Sequence, residues 1–531
     1  MNILGLHFGH DSSVAIVKNG KLIVAVSSER ILRIKKFTGL TDQVINYALK
    51  EAKLEIDDID LIALSDYYLE SSNGVLKLFY ENSQMNSTIQ MVYGNTHINA
   101  IAQIFNKTIP AVIISHHTSH ASAAYYTSNS QNSLCFSLDS SYGKIPFNGL
   151  IAHGNRNNLT VFNYPGLMIG VGYAIFTEQL GLGPALYKAG STMGLASYGK
   201  PNQDVLQNLQ QYIKESYFNI DCHQEEYVNY YLSLWEKWSG SKNKLYKKDS
   251  FSIKARNIAA SIQYLFENCL LDVINKNVIE NVDSLCLSGG SLLNCNANSF
   301  IKNNTSFKDI HHFPACGDDG VAVGSALYAA HHIYNETRHY YSTKELCYLG
   351  KEYDVEKPDY KIIAKSIADG KIIAWFMGKS EFGPRALGAR SILADPRNFH
   401  NREIINFSIK NREWFRPLAP VVLEEECDKW FNFDGQSPFM LYTADVLQKE
   451  KIPAVTHVDG TARMQTINKE TNEHYYKLIK EFFNITGVPL LINTSLNSDG
   501  PILETEEDAL LFFKNNKEID ILVLNGKIHL R

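Results

Sequence analysis

Two histidines four residues apart are the strongest metal-site signal in the sequence. His116 and His120 lie in SHHTSHASAAYY, and on a helix they share one face. Two carboxylates extend the set, because Asp139 ends an apolar strand and Asp318 precedes a helix, with Asp319 as the alternative ligand. Two imidazoles and two carboxylates suit a divalent metal, with Fe(II) favoured and Zn or Mn as alternatives. The competing interpretation is a helix that merely carries histidines on its surface.

Glycine-rich turns near these residues predict a nucleotide site. Gly289 and Gly290 follow a predicted strand and precede a helix start that contains Asn294, so this turn can lie flat under a nucleotide. Gly317 lets backbone amides approach a phosphate at a helix N-terminus. Lys188 supplies a cation within TEQLGLGPALYKAGSTMGLASYGKP, a stretch typical of a loop that folds over a ligand. A tight strand-to-helix turn without a ligand is the alternative for the double glycine.

A base for hydroxyl chemistry is predicted at the tip of the first strand. His10 and Asp11 follow the apolar segment NILGLHFG, where either could take a proton from a substrate hydroxyl. Spacing does not decide between the two residues. Capping of a turn by Asp11 is the structural alternative.

The stretch at 378–420 is rich in arginine and predicts an anion pocket. It carries Arg385 and Arg416 beside prolines, as well as Lys410, so these cations lie on turns instead of a solvated helix face. Arginine forks bind phosphate and carboxylate through two hydrogen bonds, although surface salt bridges are a weaker explanation of the same residues. The pocket is expected to include three further polar residues at turn and strand ends: Arg463, Asn493 and Ser495.

Hydrophobic patterns indicate an α/β protein that positions these residues with two domains. Paired strands open the chain, and the Asn19-Gly20 pair predicts a hairpin between two of them. A second strand that ends in Asp and Ser, near Asp139, repeats the pattern of HDSS at the start, which predicts a duplicated lobe. The charged, aperiodic segment 335–360 predicts a boundary between domains at 1–345 and 355–531.

Composition restricts the function classes. The 531 residues carry a formal net charge of -5, which argues against a general nucleic-acid binder. The eight cysteines are scattered without a C-x-x-C pair, as expected for free thiols in a reducing compartment. The start lacks a signal-peptide pattern, and the sequence lacks an apolar run of membrane-spanning length, so a cytoplasmic protein without membrane contact is predicted.

Taken together, the motifs resemble one enzyme family over nearly the whole chain. They are HDSS, HHTSHASAAYY, LDSSYG, MGLASYGKP, CLSGGSLLNC, GDDGVAVGSAL, FGPRALGARSILADPR, IKNREWFRPLAPVV, DGTARMQ and PLLINTSLNSDGPI. Their order is similar to that of the carbamoyltransferase family, which includes nodulation and antibiotic-tailoring O-carbamoyltransferases. The resemblance implies a first domain similar to Kae1, with the duplicated actin-like, sugar-kinase ATPase fold, and a second α/β domain similar to YrdC.

The resemblance also implies a two-step activity. The second domain is expected to convert carbamoyl phosphate and ATP, with Mg, into carbamoyl-adenylate, phosphate and pyrophosphate. The first domain then moves the carbamoyl group to a hydroxyl, and AMP leaves. By resemblance, His10 and Asp11 lie near the acceptor, the metal ligands are His116, His120, Asp139 and Asp318, and the carbamoyl-phosphate and ATP pocket contains Arg385, Lys410, Arg416, Arg463, Asn493 and Ser495.

Departures from the family pattern leave the acceptor and the nucleotide geometry open. They are Ser140, Ser291, Ala389 and Leu496, none of which replaces an expected ligand. The expected partner is a small molecule with a hydroxyl group, a natural product or a sugar, and not a nucleic acid. Two alternatives are a tRNA threonylcarbamoyl-type modification protein and a nucleotide-binding regulator without catalysis. The oligomeric state, a homodimer included, is left open.

Overall fold

A computed structural model describes residues 1–66, 74–79, 97–139, 148–219 and 222–531. The last four residues of the LDSSYG motif, Ser140 to Gly143, lie outside the described residues. The sequence also suggests an insertion at 70–110, and much of it lies outside the described residues too. Within the described ranges, none of the helices is long and apolar enough to cross a membrane.

A mixed sheet forms the first lobe. Its strands are β1 (Asn2–His7), β2 (Ser13–Lys18), β3 (Lys21–Ser27), β4 (Leu61–Ser65), β5 (Leu76–Phe79), β6 (His97–Ile104) and β7 (Lys107–Ile114). Among the described residues they lie in the order β3-β2-β1-β4-β7-β6-β5. The predicted hairpin is confirmed, because Asn19 (φ 50°) and Gly20 (φ 75°) form the left-handed turn between antiparallel β2 and β3.

The second lobe repeats the central part of the first. Its strands are β8 (Asn132–Leu138), β9 (Gly149–Asn155), β10 (Asn158–Asn163), β11 (Ser284–Ser288) and β12 (Asp309–His312), in the order β10-β9-β8-β11-β12. In each lobe the first strand pairs antiparallel with the second and parallel with the fourth. The predicted duplication is therefore confirmed, in the α/β architecture that the resemblance implied for this domain.

Helices fill the space around and between these sheets. In the first domain they are α1 (Ser28–Leu32), α2 (Asp42–Glu51), α3 (His116–Thr127), α4 (Ile169–Gln179), α5 (Ala185–Ala196), α6 (Gln203–Gln207), α7 (Leu209–Glu215), α8 (Gln224–Ser239), α9 (Ile253–Asn275), α10 (Cys295–Asn304), α11 (Val321–Tyr328) and α12 (Thr343–Cys347). Helix α9 starts where Ser252 accepts a hydrogen bond from the Ala255 amide, a typical N-cap. The polar sequence of residues 201–255, rich in tyrosine and lysine, predicts a helical insertion, and helices α6 to α8 confirm it.

Two helices at the centre of the first domain place the predicted metal ligands. Helix α3 packs against β8, and α11 packs against β1, so the two helices meet between the sheets. Their backbones approach closely at Gly324, where an added Cβ atom would lie 1.7 Å from the carbonyl oxygen of Ser119. The Ser119 and Ser325 hydroxyls, 2.9 Å apart, complete this contact. A side chain larger than hydrogen at position 324 would therefore separate the two elements that carry the site.

The second domain is a single sheet with helices on it. Its strands are β13 (Ile373–Phe376), β14 (Arg390–Ala394), β15 (Ala419–Leu423), β16 (Phe431–Asn432), β17 (Tyr442–Val446), β18 (Thr461–Ile467), β19 (Leu490–Ser495), β20 (Ile521–Leu524) and β21 (Lys527–Leu530), in the order β16-β17-β18-β15-β19-β14-β13-β20-β21 among the described residues. Its helices are α13 (Tyr360–Ala368), α14 (His400–Glu403), α15 (Cys427–Trp430), α16 (Glu473–Thr486) and α17 (Glu506–Asn515).

The two domains share a packed boundary. Side chains of α10 bond the backbone beside and within β17, because Asn298 donates to the Leu441 carbonyl (3.0 Å) and Ser299 donates to the Thr443 carbonyl (2.8 Å). The buried apolar cluster of the first domain also includes Phe382 from the second. The predicted limits at 345 and 355 stay predictions, but the packing shows that the domains meet over a continuous core.

We predict that Gly324→Ala destabilises the protein by about 1–3 kcal/mol, because the new methyl group must push α3 and α11 apart. Chemical denaturation, followed by circular dichroism, measures the loss. Gly194→Ala is the matched control, since its Cβ would lie 3.6 Å from Pro417, an ordinary contact distance. Equal stability of the two variants would contradict the role assigned to Gly324.

Candidate active site

The structure brings the four predicted metal ligands together. His116 opens α3, one turn before His120, and its backbone amide donates to Asp66 (2.7 Å) at the end of β4. Asp139 directly follows β8, and Asp318 lies in the turn before α11. One donor atom from each of the four residues lies within 4.8 Å of every other.

These donor atoms fit a divalent metal ion. His120 Nε2 lies 3.1 Å from His116 Nε2 and 3.2 Å from both Asp139 Oδ2 and Asp318 Oδ1. A metal about 2.1 Å from each ligand places adjacent ligands about 3.0–3.4 Å apart, which matches these separations. The mixed nitrogen and oxygen set suits Fe(II), Zn or Mn. Asp319, the alternative ligand of the sequence analysis, points instead into the neighbouring cavity.

His7 belongs to the surroundings of this centre, although the sequence analysis did not select it. Its Nε2 atom lies 3.8 Å from Asp318 Oδ2, and its Nδ1 atom lies 2.9 Å from the Ser65 hydroxyl. Burial, opposed by the Asp318 charge, lowers the pKa of His7 to about 3, so the ring is neutral. The available signal was a histidine within the apolar segment NILGLHFG, three residues before His10.

His10 and Asp11 connect the metal centre to a lysine. His10 Nε2 lies 3.4 Å from Asp318 Oδ2, and its Nδ1 atom lies 3.3 Å from Asp11 Oδ2. The ammonium of Lys36 donates to the same Asp11 carboxylate. Burial disfavours the protonated His10 ring, but the charges of Asp318 and Asp11 outweigh it and raise the pKa of His10 to about 9. A cation on Asp318 would offset that charge and return His10 to its basic form.

The double-glycine turn lies directly against the metal-ligand strand. Gly289 adopts a left-handed φ of 95°, and an added Cβ would lie 2.1 Å from the Leu138 carbonyl oxygen. A Cβ at Gly290 would lie 2.8 Å from Asp139 Oδ1. Both glycines are therefore required by the close approach of this turn to Leu138 and Asp139, and neither lines the cavity described below.

Asn294 is engaged in local structure. Its side-chain oxygen accepts from the Ala297 amide (3.1 Å), which caps α10, and its amide donates to Gln263 Oε1 (3.0 Å). Gln263 also donates to Glu267 (2.8 Å), and burial raises the pKa of Glu267 to about 7. Sequence reasoning did not select Glu267, because an acid on an amphipathic helix usually faces solvent.

One cavity of about 520 Å³ lies between the two domains and joins most of the predicted site. From the first domain it is lined by Asp11, Lys188, Gly317 and Asp319, and from the second by Arg385, Lys410, Arg416, Arg463, Asn493 and Ser495. Eight lysine or arginine residues line it, against four acids. The excess of positive charge indicates a ligand with several negative charges.

The cations of the cavity repel one another. Burial and the nearby charge of Arg463 lower the pKa of Arg385 to about 9. Burial and the charge of Arg416 likewise hold the pKa of Arg412 well below its usual value. Arg412, which the sequence analysis passed over, therefore belongs to the same cluster as Arg385, Arg416 and Arg463. An anion in the cavity would relieve this repulsion.

Several predicted ligands hold the cavity wall in place. Lys410 donates to Ser495 and to Asn497 Oδ1 (2.5 Å), and burial keeps its pKa well below the usual value. Asn493 donates to the Ala386 carbonyl (3.1 Å), which ties β19 to the Arg385 turn. These contacts order the loops from which the arginines project.

Lys188 crosses the domain boundary. Its ammonium lies 2.6 Å from Glu413 Oε1, a residue between Arg412 and Arg416. The Ser191 hydroxyl donates to the other Glu413 oxygen (3.4 Å). Lys188 therefore already forms an ion pair with Glu413. A ligand that contacts Lys188 would share the ammonium group with this carboxylate.

Comparison with known proteins defines the class. The model of the carbamoyltransferase N-terminus matches residues 2–327, and that of the carbamoyltransferase C-terminus matches residues 364–531. The chain therefore belongs to the carbamoyltransferase family, which confirms the resemblance and the enzyme class predicted from the motifs.

Individual relatives agree with that assignment. The chain is 32% identical to nodulation protein NolNO of Sinorhizobium fredii, over 98% of this chain and 78% of the relative. It is 26% identical to 3'-hydroxymethylcephem-O-carbamoyltransferase of Streptomyces clavuligerus, over 99% of this chain and 98% of the relative. An uncharacterised protein of Synechocystis is 32% identical over 99% of this chain and 96% of its own length.

Solved structures are more distant. The activator of 2-hydroxyisocaproyl-CoA dehydratase from Clostridium difficile, with bound ADPNP, has a TM-score of 0.32 and 14% identity, and the match covers 64% of this chain and 100% of the other. The HypF structure from T. kodakarensis has a TM-score of 0.31 and 12% identity, over 65% of this chain and 49% of the other.

We predict that His120→Ala lowers bound metal at least about tenfold, because it removes one of four ligands, as elemental analysis of purified protein would measure. His117→Ala is the control, since His117 neighbours the ligands without belonging to the four-residue set. Equal metal content in both variants would contradict the site.

Metal uptake should strengthen as the pH rises. In the metal-free protein burial opposes protonation of His116, but Asp318 and Asp139 outweigh it and raise the pKa of His116 to about 10. The protonated ring therefore stabilises the fold fully below about pH 6.5, and this contribution is lost as the pH rises through about 10. Titration with Mn²⁺ should show affinity rising between those limits, by up to about tenfold per pH unit for each proton displaced. A pH-independent affinity would contradict the prediction.

Proposed function

We propose that this carbamoyltransferase converts carbamoyl phosphate and ATP into carbamoyl-adenylate in the second-domain part of the cavity. It then transfers the carbamoyl group to a hydroxyl of a small molecule beside the metal centre. Because phosphate and pyrophosphate both leave in the first step, one water molecule is consumed. In the second step the acceptor oxygen bonds to the carbamoyl carbon, the acceptor proton goes to a base, and AMP departs.

The shared cavity is the observation that carries this proposal. It contains the arginine cluster of the second domain together with Asp11 and Gly317, which lie next to residues of the metal centre. An adenylate formed among the arginines would therefore reach the first-domain site without entering bulk solvent. A mixed anhydride hydrolyses in water, so a short path inside one cavity would favour transfer over loss.

Charge explains why the second domain suits the first step. Carbamoyl phosphate and ATP are polyanions, and their approach to each other needs fixed positive charge. Arg385, Arg412 and Arg416 offer that charge with depressed pKa values, which an anion would restore. Ordered loops around Lys410 hold these side chains before the substrates bind, so little reorganisation is required.

The first domain suits the second step. His10, when unprotonated, can accept the proton of the acceptor hydroxyl, and Asp11 orients the ring through the other nitrogen. The ion that His116, His120, Asp139 and Asp318 would hold supplies Lewis-acid stabilisation of phosphate oxygens.

The acceptor class follows from the relatives. One of them is named as an O-carbamoyltransferase of 3'-hydroxymethylcephem and another as a nodulation protein, and both align over almost all of this chain. We propose a hydroxyl-bearing natural product or sugar as the acceptor. Product mass spectrometry with 3'-hydroxymethylcephem, monosaccharides and oligosaccharides would identify it.

We predict that the purified, metal-loaded protein releases pyrophosphate from ATP only when carbamoyl phosphate is present. Coupled pyrophosphate detection and mass spectrometry of carbamoyl-adenylate measure this step, with phosphate in place of carbamoyl phosphate as the control. Absence of both products, in protein that holds its metal, would rule the proposal out.

The two half-reactions should be separable by mutation. Arg416→Ala is expected to lower carbamoyl-adenylate formation at least about a hundredfold, because it removes a buried phosphate-binding cation, while supplied adenylate is still consumed. His120→Ala should retain adenylate formation and lose transfer. The two rates are followed as pyrophosphate and as AMP. Equal loss of both rates in both variants would contradict separate sites.

A further inference from the structure

One segment of the first domain contacts both parts of the proposed reaction path. We call residues 28–39 the bridging segment; it contains α1 and the turn that follows. It leaves the first sheet after β3 and runs between the turn that carries His10 and Asp11 and the second domain. None of the four residues of the predicted metal site belongs to it, but Glu29, Lys35 and Lys36 of the segment line the cavity beside the arginines.

On the first-domain side, both ends of the bridging segment bond to the residues around His10. The Ser28 amide donates to the Ser12 carbonyl (2.8 Å), and the Ser12 amide donates to the Phe37 carbonyl (3.2 Å). The Gly39 amide donates to the Phe8 carbonyl (2.7 Å). Lys36 adds its ion pair with Asp11. The conformation of the 8–12 turn therefore depends on the position of the bridging segment.

On the second-domain side, two arginines attach the bridging segment. Arg33 donates to the carbonyl oxygens of Ile502 (2.7 Å) and Pro501 (2.9 Å), two residues that line the cavity. Arg30 donates through Nη2 to the Gly383 carbonyl (2.9 Å), two residues before Arg385. The segment is thus attached to both rims of the second-domain pocket.

Arg30 is also the centre of a buried group of charges. Its Nη1 atom lies 3.5 Å from Glu504 Oε2 and 3.9 Å from Glu381 Oε2, and all three side chains are at most 4% exposed. Glu381 accepts from the Leu387 amide (2.7 Å), which shapes the Arg385 turn. Glu504 accepts from the Ser380 hydroxyl (2.6 Å). One first-domain cation therefore lies between two carboxylates that organise the second domain.

The burial of Arg30 with Glu381 and Glu504 costs free energy and adds little net stability to the fold. Removing two carboxylates and a guanidinium from water costs several kcal/mol per ion, and the attraction between them roughly offsets that cost. Such a group fixes geometry more than it adds free energy, because the charges tolerate few alternative positions. Apolar packing at the boundary would stabilise equally well without fixing the position of the 8–12 turn.

Resting on the proposed function, we infer that Arg30 is a positioning residue for the carbamoyl-transfer step. It holds the bridging segment against the second domain, and the segment holds His10 and Asp11 in register with the cavity from which the adenylate arrives. Transfer requires the acceptor oxygen, the base and the carbamoyl carbon within a fraction of an ångström of their reactive positions. Adenylate formation relies on the cations of the second domain and needs no proton transfer to the 8–12 turn, so it is less sensitive to this register.

The test compares Arg30→Met with the wild type in the two half-reactions. Pyrophosphate release without acceptor should stay within about twofold, because Glu381 keeps its backbone donors and Arg390 still interacts with both carboxylates. AMP release from supplied carbamoyl-adenylate, with the hydroxyl compound that the wild type carbamoylates, should fall at least about tenfold through kcat. Free carbamoyl-adenylate per carbamoylated product should rise by the same factor.

Hydrogen exchange supplies a readout that needs no acceptor. Arg30→Met should speed exchange in peptides that cover residues 8–12 and 28–39, while α3 keeps its protection. Unchanged exchange in those peptides would overturn the inference, and so would a parallel fall of both half-reactions, which indicates a purely structural role. Arg397→Met is the control, since Arg397 bonds Asp395 within the second domain and should leave the ratio of half-reactions unchanged.

If Arg30→Met does not fold, Glu504→Gln tests the same positioning role of Arg30. It keeps the side-chain volume and the bond from Ser380, but removes the charge that faces Arg30. The same shift from transfer to adenylate release is expected, and its absence overturns the inference. A wild-type protein that makes no carbamoyl-adenylate would instead refute the proposed function, which the exchange experiment does not depend on.

Discussion

The concentration of positive charge between the two domains is the constraint on which the rest of the structure depends. Burial and the charge of Arg463 lower the pKa values of Arg385, Arg412 and Arg416, and Arg416 lowers those of the other two further. The mutual repulsion of these cations does not stabilise the fold, so the surrounding structure must hold the cluster in place. The hydrogen bonds of Lys410 and Asn493 to neighbouring loops do so. A polyanion bound in the cavity would offset the repulsion between the cations.

The predicted metal site has the opposite charge, because two carboxylates lie close together there. Asp139 and Asp318 lie together, and two imidazoles and His10 surround them. The close approach of two helices at Gly324 brings these groups to one point. The two charged regions are therefore of opposite sign: carboxylates cluster in the first domain, and arginines and lysines line the cavity.

Domain contacts determine whether the two sites work as one. The bonds of α10 to the backbone around β17 and the continuous apolar core fix the domains against each other. The bridging segment adds polar contacts that reach from the His10 turn to the rims of the second-domain pocket. The boundary is thus both a structural core and the wall of the reaction volume.

The sequence by itself determined the duplicated α/β lobe, the hairpin, the helical segment 201–255 and the family, because local periodicity and ordered motifs carry that information. It also selected His116, His120, Asp139 and Asp318, because of the helical spacing of the two histidines and the positions of the two acids at the ends of elements. Only the tertiary structure decided between Asp318 and Asp319, because these two neighbours point in different directions from the same turn. It alone placed His7, Arg412 and Arg30, since their neighbours come from distant parts of the chain. Burial and charge pairing are properties of assembled surfaces, and no local pattern encodes them.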